Sequence, residues 1–139
     1  MNLSQASGHD NVLLSYSVDA RKKEICLHTG TYPYENPEKF QDFIFTDVVA
    51  YHFECDLFSN IIDDITEKSL ESIYKENGEL FARLNNEGWP MVNAMRDGET
   101  QFLEYLYAQN IRAYEISATM GLRGWIWAKN CSVEDRLNK

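Results

Sequence analysis

The spacing of apolar residues changes twice along the chain, and these changes limit the folds that it can adopt. Much of the stretch between residues 14 and 55 has an apolar residue at every second position, which is typical of half-buried β-strands. Between residues 70 and 84 the spacing is three or four, as on one face of an α-helix. From residue 111 onward the period of two returns. Strands at both ends with helices between them predict an antiparallel sheet covered by helices.

The first two predicted strands form a β-hairpin. Leu14, Tyr16 and Val18 alternate with two serines, a polar turn follows, and the alternation resumes over residues 25–29. Two alternating runs separated by a short polar loop are typical of a hairpin. Residues 30–39 carry two prolines and a glycine, so they are predicted to form a loop.

The strongest strand prediction covers residues 43–55, which are dense in β-branched and aromatic residues. Tyr51 and Phe53 share one face of this strand, because successive side chains alternate between faces. Thr46-Asp47 predicts a bend or a tight turn within it. A shorter strand is predicted over residues 60–65.

One apolar stripe continues over residues 70–84 and predicts a helix whose start Ser69 or Thr66 caps. Asn77-Gly78 interrupts this stripe and can divide the helix in two, because glycine costs about 1 kcal/mol in a helix interior. A second helix is predicted over residues 97–109.

Two further strands are predicted over residues 111–117 and 122–129, joined by a turn that contains glycine. Trp125 and Trp127 share one face of the last strand. We expect them in the core, since the helices need large side chains to pack on.

The predicted element order is β-β-β-β-α-α-β-β, and the fold class is α+β. We expect an antiparallel sheet of five to six strands with two to three helices on one face. Residues 11–131 are expected to form a single domain, since the chain of 139 residues has the usual size of one. Residues 1–10 and 132–139 are expected to be loose tails.

The charge balance bears on the class of partner. Asp and Glu total 22 and Lys and Arg total 13, which gives a formal net charge of −9. A field of this sign repels phosphate, so binding of nucleic acid or of an anionic membrane surface is not expected. The same field favours a basic protein, because opposite charges speed association.

The cysteines and the N-terminus bear on the compartment. Cys26, Cys55 and Cys131 are far apart and odd in number, so we interpret them as reduced thiols rather than a disulfide framework. The first residues lack the apolar stretch of a signal peptide. No apolar run approaches the roughly 20 residues that span a bilayer. These features predict a cytoplasmic protein.

No short motif for phosphate binding, zinc proteolysis or nucleophilic catalysis occurs in the sequence. Cys26 and His28 share one strand face, and His52 and Glu54 share another, so the four would approach one another like zinc ligands if the two strands paired. A closed zinc site needs four well-placed ligands, and Cys55 points away from His52. We therefore predict no metal, no cofactor and no catalytic residue, and a binding protein is favoured over an enzyme.

Five residues are the predicted binding contacts. Trp89 lies in a Gly-Trp-Pro loop, where it either plugs the end of the core or anchors a partner. Arg123 lies between two glycines, either in a simple turn or as a carboxylate-binding side chain at the end of the sheet. His52 and Glu54 share the polar face of the central strand, and Asp63 lies near the end of the sheet.

Three stretches of the sequence resemble small bacterial proteins of unassigned function, of a toxin-immunity-like kind. The stretches are Phe45-Thr46-Asp47-Val48-Val49-Ala50-Tyr51-His52-Phe53, then Gly88-Trp89-Pro90, and then Tyr114-Glu115-Ile116 before Gly121-Leu122-Arg123-Gly124-Trp125. Some similar small acidic proteins are immunity partners of secreted toxins. The resemblance spans residues 14–128 and carries over no catalytic residue. It implies a bacterial cytosolic protein that binds another protein.

The acidic charge, the abundant aromatic residues and the missing catalytic motifs together predict a small acidic protein-binding module, such as an immunity-type or adaptor protein. The alternative is a small-molecule-binding protein or enzyme with a pocket between sheet and helices. Its candidate residues at the pocket mouth are Tyr51, His52, Glu54 and Arg123. A subunit that self-associates through a sheet edge or a helix face is a further hypothesis.

Overall fold

Six strands and three helices follow one another in the computed structural model, which describes residues 10–31, 35–90 and 99–137. Strands precede and follow the helices, as the change in apolar spacing predicts, so the α+β class is confirmed. The elements are β1 (Asn11–Asp19), β2 (Glu24–Gly30), β3 (Lys39–Glu54), β4 (Asn60–Lys68), α1 (Leu70–Glu76), α2 (Gly78–Asn86), α3 (Glu99–Ala108), β5 (Arg112–Met120) and β6 (Arg123–Leu137).

The six strands form a closed antiparallel barrel in the order β1-β2-β3-β6-β5-β4. The antiparallel pairing and the number of strands confirm the prediction, but closure of the sheet into a barrel and this strand order differ from it. Closure depends on a short pairing between β1 and β4, in which residues 11–13 lie opposite residues 60–62. These segments are far apart in the sequence, and alternation within a strand identifies its faces but not its neighbours.

Strand β3 is bent, and its two halves have different neighbours. Asp47 has a left-handed backbone with φ of 55°, and the pairing with β6 is irregular between Val48 and Ala50. Residues 40–46 pair with β2 on one side and with β6 on the other. Residues 48–54 pair only with β6 among the described strands, although the Val48 N–H also donates to the carbonyl oxygen of Lys23 in the turn between β1 and β2. The predicted bend is therefore confirmed, and beyond it β3 has a free edge within the described part of the chain.

The barrel interior is a packed apolar core to which all six strands contribute. Leu27, Phe43 and Phe45 are fully buried at its centre. Its remaining buried members are Leu13, Ile25, Ile62, Ile65, Tyr114, Ile116, Leu122, Ile126, Ala128 and Val133. Such packing holds the strands in one register and makes them a rigid support for surface side chains.

A second, aromatic core lies between the helices and the outer face of β5 and β6. The ring of Phe81 in α2 lies 5.4 Å from that of Trp125 and 5.3 Å from that of Trp127. Phe102 of α3 also contacts Trp127, with ring centroids 6.1 Å apart. Both tryptophans are buried, which confirms their expected place in the core.

The interruption at Asn77-Gly78 divides the predicted helix into α1 and α2. The backbone N–H and the Nδ2 amide of Asn77 both donate to the carbonyl oxygen of Ile73, and this ends α1. Ser69, one of the two predicted caps, accepts a hydrogen bond from the N–H of Ser72. With α3 the described chain has three helices, which is the upper number of the predicted range.

The domain extends further toward the C-terminus than predicted. Strand β6 runs to Leu137, where it pairs with Lys39 of β3, so a loose tail is wrong for residues 132–137. Their pairing with β3 could not be predicted from their polar composition. Residues 1–9 and 138–139 lie outside the described residues. No helix in the described ranges is long and apolar enough to cross a bilayer.

Candidate functional site

Exposed apolar side chains gather on one side of the barrel. The described residues include ten exposed large apolar side chains, of which Tyr105 and Tyr107 lie on α3. The other eight, which we call the apolar surface, are Leu14, Tyr16, Val18, Val49, Tyr51, Leu57, Phe58 and Met120. Single exposed apolar residues are common on proteins, but a group of this size usually marks an interaction surface.

Part of the apolar surface is the inner face of β1. Tyr16 lies opposite Leu27, and Val18 lies opposite Ile25, and opposite residues in an antiparallel pair point to the same face. Leu27 and Ile25 are buried, whereas Tyr16 and Val18 are 38% and 42% exposed. Pairing of β1 with β4 ends at Leu13, so the barrel opens beyond this residue and solvent reaches the inner face.

The second half of β3 completes this opening. Tyr51 lies opposite Ile126, a core residue, and Phe53 lies opposite Gly124. The rings of Tyr51 and Phe53 have centroids 5.0 Å apart. Phe53 also packs edge-on against Tyr16 at 5.5 Å. These three rings connect β1 and β3 across the opening of the barrel.

Two neighbouring grooves contain most of the apolar surface. The larger has a volume of about 660 Å³, and Tyr16 and Phe58 are part of its lining. The smaller has a volume of about 440 Å³, and its lining includes Tyr51 and Trp89. Tyr16 lines the larger groove and Tyr51 the smaller one, and both rings contact Phe53. The ring of Phe53 therefore lies between the two grooves.

A hydrogen-bond network holds the loop after β3, which carries Phe58. Asp56 Oδ1 accepts hydrogen bonds from the Phe58 N–H at 2.9 Å and from Asn60 Nδ2 at 2.8 Å. Asp56 Oδ2 accepts one from the Tyr16 hydroxyl at 2.9 Å. These hydrogen bonds lower the pKa of Asp56, because each stabilises the carboxylate. The bond from Asn60 has the largest effect. Buried Asn60 also accepts the N–H of Leu122, which ties this loop to the β5–β6 turn.

Three of the five predicted binding residues come together, but outside the apolar surface. His52, Glu54 and Arg123 line a shallow depression of about 300 Å³. His52 Nε2 lies 3.8 Å from Glu54 Oε2, and Glu54 lies opposite Arg123 in the pairing of β3 with β6. Tyr51, which was expected beside them, points to the other face of β3 because successive side chains alternate.

Trp89 and Asp63 lie apart from that depression. Trp89 is half-buried, with its ring 5.7 Å from Phe81 and 6.3 Å from Trp127. It therefore closes one end of the aromatic core, and its remaining surface lines the smaller groove. Asp63 is half-buried on β4, where its carboxylate accepts a hydrogen bond from the Ser117 hydroxyl at 3.4 Å.

The sequence prediction missed most of the apolar surface. Alternation identifies Leu14, Tyr16 and Val18 as one apolar strand face, but it does not show that this face is exposed. Phe58 is easier to identify as a surface residue from the sequence, because Leu57-Phe58 is an apolar pair in the short link between two strands. Phe58 is 95% exposed, and an exposed apolar pair in a turn usually marks a contact with another molecule.

Cys26 and His28 share a strand face, as predicted, but their neighbour is Asp42 of β3 rather than His52. Cys26 Sγ lies 3.8 Å from His28 Nδ1, and this nitrogen lies 3.0 Å from Asp42 Oδ1. Burial, followed by the nearby Asp42 charge, raises the pKa of Cys26 to about 11. Strand β2 pairs with the first half of β3, whereas His52 lies beyond the bend.

Comparison of the chain with protein-family models, with curated proteins and with solved structures finds no match.

Proposed function

We propose that this protein is a small protein-binding module that holds an extended, apolar segment of a basic partner on its apolar surface. The observation that supports this most is that Tyr16, Val18 and Tyr51 share the inner face of the barrel with core residues and yet are exposed. Burying a large apolar side chain contributes about 1.5–3 kcal/mol. A partner segment that fills the opening therefore extends the core at this end.

Phe58 is the principal anchor in this proposal. It is 95% exposed, and its backbone N–H is held by Asp56. Aromatic anchors carry much of the binding free energy at protein interfaces. An anchor whose backbone is already fixed loses less conformational entropy when the partner binds.

The free edge of β3 provides backbone contacts beside these side chains. The Val48 N–H donates to the Lys23 carbonyl oxygen, whereas residues 49–54 pair with β6 on one side only within the described part of the chain. An extended partner segment can add to such an edge through main-chain hydrogen bonds, while its side chains enter the adjoining grooves. The exposure of Val49 and Tyr51 along this edge is consistent with such addition.

Charge favours a basic partner over a second copy of the chain. Among the described residues, the charged side chains that line the two grooves are Asp19, Glu24, Asp56 and Lys23. The formal net charge of the whole chain is −9. Two copies therefore repel each other, whereas a basic protein is attracted and oriented before contact.

An immunity-type or adaptor role belongs to the same proposal. The resemblance to small bacterial proteins of the toxin-immunity kind supports it, and a basic toxin such as a nuclease has the charge that this surface favours. Cys26, Cys55 and Cys131 are free thiols. They support a cytoplasmic location, since disulfides persist in oxidising compartments.

Replacing Tyr51 and Phe58 together by serine is expected to weaken binding of the partner by about 30-fold, since two interface anchors contribute at least about 1 kcal/mol each. The wild-type protein, this double variant and Tyr105→Ser serve as baits in a lysate of the cells that make the protein. Captured proteins are then purified and titrated singly against each form. Tyr105 is similarly exposed but lies on α3, so Tyr105→Ser is expected to bind like the wild type.

Three results would count against the proposal. A purified partner that binds the double variant and the wild type equally would place the binding site elsewhere. A wild-type mass of twice 16.2 kDa in light scattering, returning to 16.2 kDa in the double variant, would assign the apolar surface to self-association. A partner whose affinity does not fall between about 50 and 500 mM salt would contradict the role of charge.

A second candidate function is the binding of a small carboxylate-bearing molecule. It is favoured by the convergence of His52, Glu54 and Arg123 at one depression, since arginine binds carboxylates through paired hydrogen bonds. A thermal-shift screen of small organic acids is expected to find a compound that raises Tm, and Arg123→Gln should remove the shift. No shift with any acid would exclude this function.

A further inference from the structure

We propose that Cys26, His28 and Asp42 form a binding site for Zn²⁺ or a similar thiophilic divalent cation, with one coordination position left open. The three side chains lie on the outer face of β2 and β3, and their ligand atoms are all within 4.8 Å of one another. The outward direction follows from the alternation in β2, whose residues Ile25 and Leu27 belong to the core. The site is therefore separate from the apolar surface and independent of its proposed function.

The separations between the ligand atoms are close to those around a tetrahedral metal ion. Zn–S bonds of about 2.3 Å and Zn–N and Zn–O bonds of about 2.0–2.1 Å place the ligand atoms roughly 3.3–3.6 Å apart. Cys26 Sγ and His28 Nδ1 are 3.8 Å apart, and His28 Nδ1 and Asp42 Oδ1 are 3.0 Å apart. These two values lie on either side of the expected separation, and the third pair, Cys26 Sγ and the Asp42 carboxylate oxygen, lies within 4.8 Å. Small movements of these side chains bring the three ligand atoms to tetrahedral distances.

The kinds of ligand atom select the cation. One thiolate, one imidazole nitrogen and one carboxylate oxygen match the preferences of Zn²⁺ and Co²⁺. Mg²⁺ and Ca²⁺ prefer sites made of oxygen atoms only. A three-residue set of this kind leaves a fourth position for water or an exogenous ligand.

The site is supported by rigid strands and is reachable from solvent. The side chain of Asp42 is 9% exposed, whereas that of His28 is 37% exposed. Glu134 of β6 lies opposite Asp42 in the strand pairing, which adds a second carboxylate near the ion. Both negative charges favour a cation here.

Arg136 is the competitor for this site. Its Nη2 lies 3.0 Å from Asp42 Oδ1, the same oxygen that contacts His28, and its side chain is 54% exposed. It compensates the buried carboxylate when no ion is bound. An exposed side chain can move into solvent when an ion binds, so Arg136 weakens binding of the ion without blocking it.

This proposal departs from the prediction of no metal made from the sequence. The sequence places Cys26 and His28 on one face but does not show which residue of β3 lies beside them. The pairing of His28 with Asp42 supplies the third ligand, which neither residue order nor spacing identifies.

The test titrates the reduced full-length protein with Co²⁺ in the absence of oxygen and records its absorption spectrum. The expected result is a thiolate-to-cobalt charge-transfer band with visible bands of tetrahedral intensity, which saturate at one ion per chain and disappear when Zn²⁺ is added. Cys26→Ser is expected to remove the charge-transfer band and to lower Zn²⁺ affinity by at least about 100-fold. Replacing a residue that only hydrogen-bonds to a metal ligand already lowers affinity by up to about 100-fold, and Cys26 is itself a ligand in this proposal. His28→Ala should lower the affinity similarly, and Arg136→Gln should raise it severalfold.

Matched control variants test whether the ion binds at Cys26 rather than at another thiol of the protein. Cys55→Ser and Cys131→Ser remove the other two thiols and are expected to keep the charge-transfer band. Far-ultraviolet circular dichroism checks that each variant is folded, and His28→Ala provides an independent test if Cys26→Ser is not. A titration without the charge-transfer band, or a band that survives Cys26→Ser or is lost in Cys55→Ser, would overturn the proposal.

Discussion

Replacing Trp127 with alanine is expected to lower the free energy of unfolding by about 3–5 kcal/mol. Trp127 is fully buried, and its ring centroid lies 5.0 Å from that of Trp125 and 5.3 Å from that of Phe81. Alanine at this position leaves a cavity between helices and sheet that neither layer can close alone. A loss of this size is a large part of the about 5–15 kcal/mol that stabilises a typical domain. Urea denaturation followed by far-ultraviolet circular dichroism measures it.

Two further substitutions test the reason for this loss. Tyr105→Ala removes an exposed ring on α3 and is expected to change the free energy of unfolding by less than about 0.5 kcal/mol. Trp127→Phe should cost less than Trp127→Ala, because it keeps a ring and removes an indole N–H that has no hydrogen-bond partner among the described residues. Equal losses for Trp127→Ala and Tyr105→Ala would contradict the aromatic core.

Replacing Gly124 with alanine is expected to cost about 3 kcal/mol, the upper end for overpacking and backbone strain. A Cβ atom at this position would overlap the backbone carbonyl oxygen of His52 on the neighbouring strand. Gly124 also has φ of 156°, which side-chain-bearing residues rarely adopt. The obstacle is main chain, so relief requires β3 and β6 to move apart. The same denaturation experiment measures the loss.

Gly78→Ala is the matched control for that substitution. Gly78 is the first residue of α2, and among the described residues no atom beyond its chain neighbours and its own helix backbone lies within 4 Å of a Cβ built on it. Alanine is the better helix former, so the free energy of unfolding should stay the same or rise by up to about 1 kcal/mol. If Gly124→Ala and Gly78→Ala behaved alike, the close approach of β3 and β6 at Gly124 would be wrong.

Local features of the fold were predictable because local chemistry determines them. The interruption at Asn77-Gly78 ends one helix and starts another, since glycine lowers helix stability and Asn77 bonds back to Ile73. The bend at Asp47 and the core position of Trp125 likewise follow from residue type and alternation. In each case the cause lies within a few residues of its effect.

Closure of the barrel was not predictable in the same way. It depends on residues 11–13 meeting residues 60–62, and periodicity carries no information about which strands become neighbours. The exposure of the apolar surface also depends on which strands pair. Tyr16 is a normal core residue by its alternation, and it is exposed only because β1 separates from β4 after Leu13. Sequence patterns therefore identify the apolar faces of the strands but do not show which of these faces remains exposed to solvent.

The predicted site residues illustrate the same limit. His52 and Glu54 are two residues apart and were expected together, and the structure brings them to one depression. Trp89 joins the smaller groove only because the helices carry it there. Asp42 completes the proposed metal site through strand register alone.

The measurement that tests the proposed binding surface most directly is site-specific photo-cross-linking in the lysate of the cells that make the protein. A photoreactive amino acid replaces Phe58, Tyr51 or Tyr105 in three separate proteins. We expect positions 58 and 51 to cross-link to the same basic protein, and position 105 to give little or no product. Cross-links from position 105 alone, or the absence of products from positions 58 and 51, would contradict a binding role for the apolar surface.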